Sequence, residues 1–236
     1  MPDDPLTYYQ TIIGIIEFIE VAIHTILYVR QVYPADLFVR RKKYDTPVYQ
    51  SRHPVLNEYI SGAMRAVGDE IISGTIDKVI LVIKDKDEVA LERFIFSIEK
   101  ILNIEGYNTD VGVESAMSPT TLGQYFRSFL IKLSMIEAQL GQLELGDNTS
   151  FAIILECKEG KVPGASEEKN DPPPWIPANI EHTTAASPEL SEVHLVRAVD
   201  TGIVNLSLVV QESGEKLRRM QPEPEYLPVG EGKEGT

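Results

Sequence analysis

The sequence predicts an α+β fold, and three observations carry that prediction. Helical and extended patterns do not alternate: the order runs helix, helix, paired strands, helix, strand, long loop and two further strands. A doubly wound parallel sheet needs regular alternation, so helices grouped against an antiparallel sheet fit better. The 236 residues carry 43% hydrophobic content, enough for one sizeable core. The last third then turns breaker-rich before strand patterns return, so the terminal strands are tethered through an irregular segment.

Each element has its own signal. Between Thr7 and Gln31, Ile12, Ile15, Ile16, Ile19, Ile23, Ile26 and Leu27 recur at helical spacing, and Pro34 breaks the pattern. The stretch is apolar enough to raise a membrane reading. Glu17, Glu20 and His24 interrupt it, and an acidic residue at the centre of a membrane helix costs roughly 3 kcal/mol. A buried central helix is the better account. Residues 37–50 read as short extended pieces around Asp45-Thr46-Pro47. Pro54 opens a second helix through Leu56, Ile60, Met64, Val67 and Ile71, with Gly74 just past its end.

Ile76 to Asp85 and Val89 to Ile98 then form a β-hairpin, the first strand built on Val79-Ile80-Leu81-Val82-Ile83. Residues 103–119 lack periodicity and read as a loop. Ser118-Pro119 starts a third helix, which the pattern extends to Leu140. Thr149 to Lys158 is a third strand carrying Cys157. Residues 160–174 cannot be a regular element. Past Trp175-Ile176-Pro177 come two extended runs, Val193 to Val199 and Ile203 to Val210, separated by Asp200-Thr201-Gly202. From Ser213 to Thr236 the chain is charged and rich in Pro and Gly, and reads as a mobile, disordered tail.

Composition restricts function. The formal net charge is −14, from 36 acidic against 22 basic residues, and such a field repels nucleic-acid phosphates and anionic membranes. One cysteine, Cys157, cannot form an internal disulfide, so a reducing compartment fits. The segment Met1-Pro2-Asp3-Asp4-Pro5 lacks the basic start of a signal peptide. His24, His53, His182 and His194 have no partner at metal-ligand spacing, and no phosphate loop, nucleophile elbow or zinc-helix motif occurs. The expectation is no metal, no cofactor and no catalysis.

The dense basic run Arg40-Arg41-Lys42-Lys43 reads as a solvated turn, with direct DNA contact the sharper alternative. Trp175, between proline-rich segments, needs something to pack on: its own domain or a partner. The terminal strands could extend a sheet edge, alone or with a foreign peptide.

A resemblance now adds to this reading. Glu17-Phe18-Ile19-Glu20-Val21-Ala22-Ile23-His24, Ile26-Leu27-Tyr28-Val29-Arg30, Val32-Tyr33-Pro34, Arg41-Lys42-Lys43-Tyr44, His53-Pro54 and Tyr59-Ile60 carry it, with Pro174-Trp175-Ile176 later. These residues resemble the HORMA-domain accessory subunits of translesion DNA polymerase zeta, the mitotic-arrest-deficient-two-like family, over roughly residues 8–211. The resemblance implies three central helices on an antiparallel sheet, with a mobile carboxy-terminal safety belt that closes over a partner peptide. Residues 1–159 would be the HORMA core, 160–212 the belt and 213–236 the tail.

It further implies that Tyr59 and Trp175 line the channel for a proline-containing peptide of the polymerase catalytic subunit. Val193, Ser207 and Val209 would meet the deoxycytidyl-transferase scaffold polymerase, and Arg127, Gln31 and Ala138 a homodimer surface. The implied role is a non-catalytic adaptor in translesion synthesis, in the nucleus. A spindle-checkpoint or meiotic HORMA adaptor is the rival reading.

Overall fold

The computed structural model describes residues 4–100, 113, 115–141, 143, 149–164, 175–185 and 191–220. The predicted loop over 103–112, the stretch 165–174 before Trp175 and the tail beyond 220 lie outside the described residues.

Helix α1 (Tyr8–Val29) runs through the centre. A capping box starts it: Thr7 Oγ1 accepts from Gln10 N–H at 3.1 Å, and Gln10 Oε1 accepts from Thr7 N–H at 2.9 Å. It is long and apolar enough to cross a membrane, yet Ile12, Ile15, Phe18, Ile19, Ile23 and Ile26 are all fully buried inside the fold. Phe18 stacks on Phe126 at 4.5 Å and meets Phe129 edge-on at 5.2 Å, which fixes the third helix against the first.

A two-stranded hairpin, β1 (Phe38–Lys43) and β2 (Thr46–Ser51), follows, turning at Tyr44-Asp45, one residue earlier than the sequence suggested. It exposes Arg40, Arg41 and Lys42, while Lys43 pairs with Glu17 of α1 at 2.9 Å. Helix α2 (Pro54–Ser73) has proline in its first turn and His53 as cap. Gly68 lets it approach α1 closely: a Cβ there would lie 2.7 Å from Ile16 Cδ1.

The main sheet is antiparallel throughout, in the order β5-β3-β4-β7-β6, with β3 (Ile76–Lys84), β4 (Ala90–Lys100), β5 (Ser150–Cys157), β6 (Glu192–Asp200) and β7 (Val204–Glu212). Its inner face, with Val79, Leu81, Phe94, Phe96, Leu206 and Leu208, packs on the helices; its outer face holds a smaller cluster of Ile80, Val82, Ala90, Ile95 and Ile154. This is why β3 reads as a continuous apolar run: both faces are covered.

Two sequence expectations need correction. Helix α3 (Pro119–Ser134) stops before Leu140, and residues Glu137–Leu140 form a separate turn, α4. The Ser134 hydroxyl donates to the Ile131 carbonyl at 2.7 Å, and Met135 N–H bonds Lys132 rather than the residue before it, tightening the last turn. The tail assigned from Ser213 as disordered begins instead with helix α5 (Gly214–Met220). Ser213 Oγ caps it by accepting from Lys216 N–H at 3.2 Å, and the Lys216 side chain is buried among carboxylates.

Candidate functional site: a groove between the β5 edge and the returning chain

β5 is the end strand of the sheet; on its far side no described strand pairs with it. An unpaired edge presents alternating N–H and C=O groups that another chain can use. Here it is roofed. A groove of about 600 Å³ runs along Ile153, Ile154 and Leu155, with Tyr59 of α2 on one wall and Trp175, Ile176 and Pro177 on the other. Tyr59 stays half-exposed and meets Phe151 edge-on at 5.7 Å. The structure therefore brings together the two aromatics assigned to a channel from resemblance. The Trp175 ring packs partly against the main core, while its indole N–H is buried with no partner among the described residues.

Residues 178–185, which follow the roof, lie over the outer face of the sheet against β4 and β5, and Gly164 anchors the chain ahead of it. Gly164 N–H donates to the buried Glu70 carboxylate at 2.5 Å. The Asn179 side chain accepts from Glu181 N–H at 3.1 Å and shapes a short 3-10 turn at Ile180–His182. Arg93 of β4 donates to the carbonyls of Glu181 and His182, and the His182 ring bonds the Glu88 carbonyl at 2.6 Å. Thr184 donates to Glu156 of β5 through both N–H and hydroxyl, at 2.6 and 2.7 Å, and Lys78 pairs with the same carboxylate at 2.9 Å. Burial opposes the Glu156 charge, but Thr184 and Lys78 together hold its carboxyl below the usual range. The path ends in β6 and β7, paired to β4. Described parts of the segment thus stand at both edges of the sheet, at β5 through Trp175 and Thr184 and at the far edge as β6.

The lining of the groove is largely apolar, with Ile153, Ile154, Leu155, Trp175 and Ile176. Its thiol, Cys157, is pushed up by burial, with Glu70 adding to the effect, so it is not an activated thiolate. His24 is buried, as expected of a core residue, but its Nδ1 has no partner among the described residues. One cluster escaped the spacing argument: Glu192, His194 and Glu212 bring their ligand atoms within 4.8 Å of one another across β6 and β7. Glu212 is already paired with Lys216 there.

Val193, Ser207 and Val209 fall on the outward face of the β6–β7 hairpin, with Val193 opposite Gln211 and Val209 opposite Leu195. Leu195 is 65% exposed and completes an apolar surface with Val193; the alternation of the strand could have marked it. Gln31, Arg127 and Ala138 are all exposed but lie on three separate elements: the turn after α1, helix α3 and α4.

Helices packed on an antiparallel sheet whose end strand is roofed by a later segment are the arrangement of a HORMA-domain adaptor, and this chain belongs to the HORMA domain family, which residues 14–139 match. It is similar to the protein named mitotic spindle assembly checkpoint protein MAD2B of Gallus gallus, 32% identical over 215 residues, covering 89% of this chain and 95% of that one. It is also similar to the DNA polymerase zeta processivity subunit of Schizosaccharomyces pombe, 38% identical over 146 residues, 61% of this chain and 67% of that one. Among solved structures, a chain of a mitotic checkpoint complex crystal structure aligns with a TM-score of 0.68 at 20% identity, covering 86% of this chain and 98% of that one. The C. elegans HTP-1 structure bound to a HIM-3 closure motif aligns at 0.66 and 12% identity, covering 90% and 94%. These likenesses show the HORMA fold that the sequence resemblance implied.

Proposed function

We propose that this chain is a non-catalytic subunit of DNA polymerase zeta, acting in the nucleus in translesion synthesis. It clasps an extended, proline-containing peptide of the catalytic subunit along β5 and presents its β6–β7 face to the deoxycytidyl-transferase scaffold polymerase. The observation that carries this reading is the groove: a strand edge that no described strand pairs, facing a wall of Tyr59 and Trp175. A peptide there would add to the sheet through its backbone and seat its prolines on the aromatic rings. The buried indole N–H of Trp175 would find an acceptor in a peptide carbonyl. The name of the Schizosaccharomyces pombe relative supports the polymerase assignment.

The test is capture of a synthetic proline-containing peptide of the catalytic subunit. Trp175→Ala and Tyr59→Ala each weaken capture about tenfold or more, the loss expected of central aromatic anchors. Truncation at Ser187, which removes β6 and β7, abolishes retention. Undiminished binding by the truncated chain overturns the proposal. The word checkpoint in a relative's name favours a second reading, a checkpoint adaptor using the same groove. Affinity purification separates the two, since recovery of checkpoint proteins without polymerase subunits decides for the second.

A further inference from the structure

We infer that helix α5 is a charge key that locks the returning segment closed, through insertion of Lys216 between two buried glutamates. This inference rests on the reading of residues 160–212 as a belt that can detach from the core. Glu92 of β4 and Glu212 of β7 are register partners, directly opposite each other, and both side chains are almost wholly buried. Pairing β7 with β4 therefore brings two carboxylates together in a low-dielectric interior, where like charges resist each other strongly.

The core half of this junction is neutral by itself. Arg30, at the carboxy-terminal end of α1, holds Glu92 in a two-pronged contact, Nε to Oε2 at 2.9 Å and Nη2 to Oε1 at 2.7 Å. The belt half brings Glu212 against the His194 ring of β6, and a lysine charge reaches it when α5 folds. When it does, Lys216, four residues on, donates to Glu212 and reaches Glu92 Oε1 at 2.6 Å and the Leu140 carbonyl at 2.8 Å. All three donors of the ammonium are used, and the two halves meet as neutral pairs. Arg219 adds an outer clasp to Asp85 at 2.9 Å, on the turn that joins β3 to β4. His194 bonds the other oxygen of Glu212 at 2.9 Å, and Glu192 stands beside it. α5 is thus the element whose charge makes closure of β7 on β4 favourable.

The experiment is native-state hydrogen exchange on the full chain without peptide. Lys216→Met keeps the length of the side chain and removes its charge. Amides of β6 and β7 are expected to exchange about tenfold faster or more, while those of α1 and β3 keep their rates, because only the belt opens. Unchanged β6–β7 rates overturn the inference. So does a rise shared equally by α1 and β3, which marks Lys216 as general core support. Lys216→Met with Glu212→Gln removes both opposing charges and is expected to return the β6–β7 rates most of the way; no recovery assigns the effect to packing and also overturns the key. Peptide capture by the wild-type chain is measured separately. Its failure sinks the capture reading while the exchange result still decides the key.

Discussion

A buried ionisable residue on a helix of apolar neighbours states its own cost. His24 sits on α1 with 4% exposure, and burial lowers its pKa from 6.5 to about 4. The folded chain therefore keeps it neutral, while the unfolded chain takes up a proton below about 6.5. Stability is full above that pH and declines as pH falls towards about 4, by on the order of 3 kcal/mol in all. In His24→Leu the decline attributable to this residue disappears. Urea midpoints at pH 7 and pH 4.5 check this: equal pH shifts in wild type and variant would show that His24 is not the titrating group. The core position of His24 was legible from helical spacing. That its Nδ1 has no partner among the described residues was not, because hydrogen-bond partners are set by residues distant in sequence. Trp175 shows the same division: a lone aromatic among prolines asked for a surface, and only the fold supplied one, between its own core and the groove.

Elements were legible where periodicity and stop signals coincide. The β3–β4 pair, with its turn at 85–88, and helix α2, between Pro54 and Gly74, show both. Helix α5 was not, since its seven residues carry charges suited to a solvated tail, and only Glu92 and Glu212 across the sheet make Lys216 a buried side chain. The turn between β6 and β7 was foreseen from Asp200-Thr201-Gly202, but its strictness comes from packing. Gly202 adopts φ of +80°, and a Cβ there would lie 1.8 Å from the Ser115 carbonyl oxygen. The Asp200 carboxylate accepts from Gly202 N–H at 2.8 Å, and Thr201 Oγ1 accepts from Val204 N–H at 2.9 Å, so the turn has little room to shift. Gly202→Ala combines a left-handed backbone with a backbone clash, and a loss of about 2 kcal/mol or more is expected. Chemical denaturation measures it. A variant as stable as wild type would mean that the segment around Ser115 yields freely.

For the whole molecule, the consequence lies in the path of the chain. In the proposed complex, a peptide along β5 is enclosed by a segment tied down at Glu70, at Glu156, at Arg93 and by the β4–β7 ladder. Release requires several of these to break together, so affinity resides mainly in slow dissociation. Glu156 is the tie nearest the groove whose state can be set from outside. Burial disfavours its charge, yet Thr184 and Lys78 hold its pKa below the ordinary 4.5. Because the folded value is depressed, this tie is fully present above about 4.5 and is lost as pH falls through the lower folded value. With respect to this tie, peptide release from the wild-type complex is therefore expected to be independent of pH from neutral down to about 4.5 and to quicken below it. Glu156→Gln keeps the shape but weakens charge-assisted bonds from two Thr184 donors and Lys78, and it speeds release at pH 7 by roughly tenfold. Chase of a pre-bound fluorescent peptide with excess unlabelled peptide reads both. Wild-type release rates from Glu156→Gln at pH 7 would mean that the Glu156 tie does not restrain the peptide, leaving retention to the contacts at Glu70 and Arg93 and to the β4–β7 ladder.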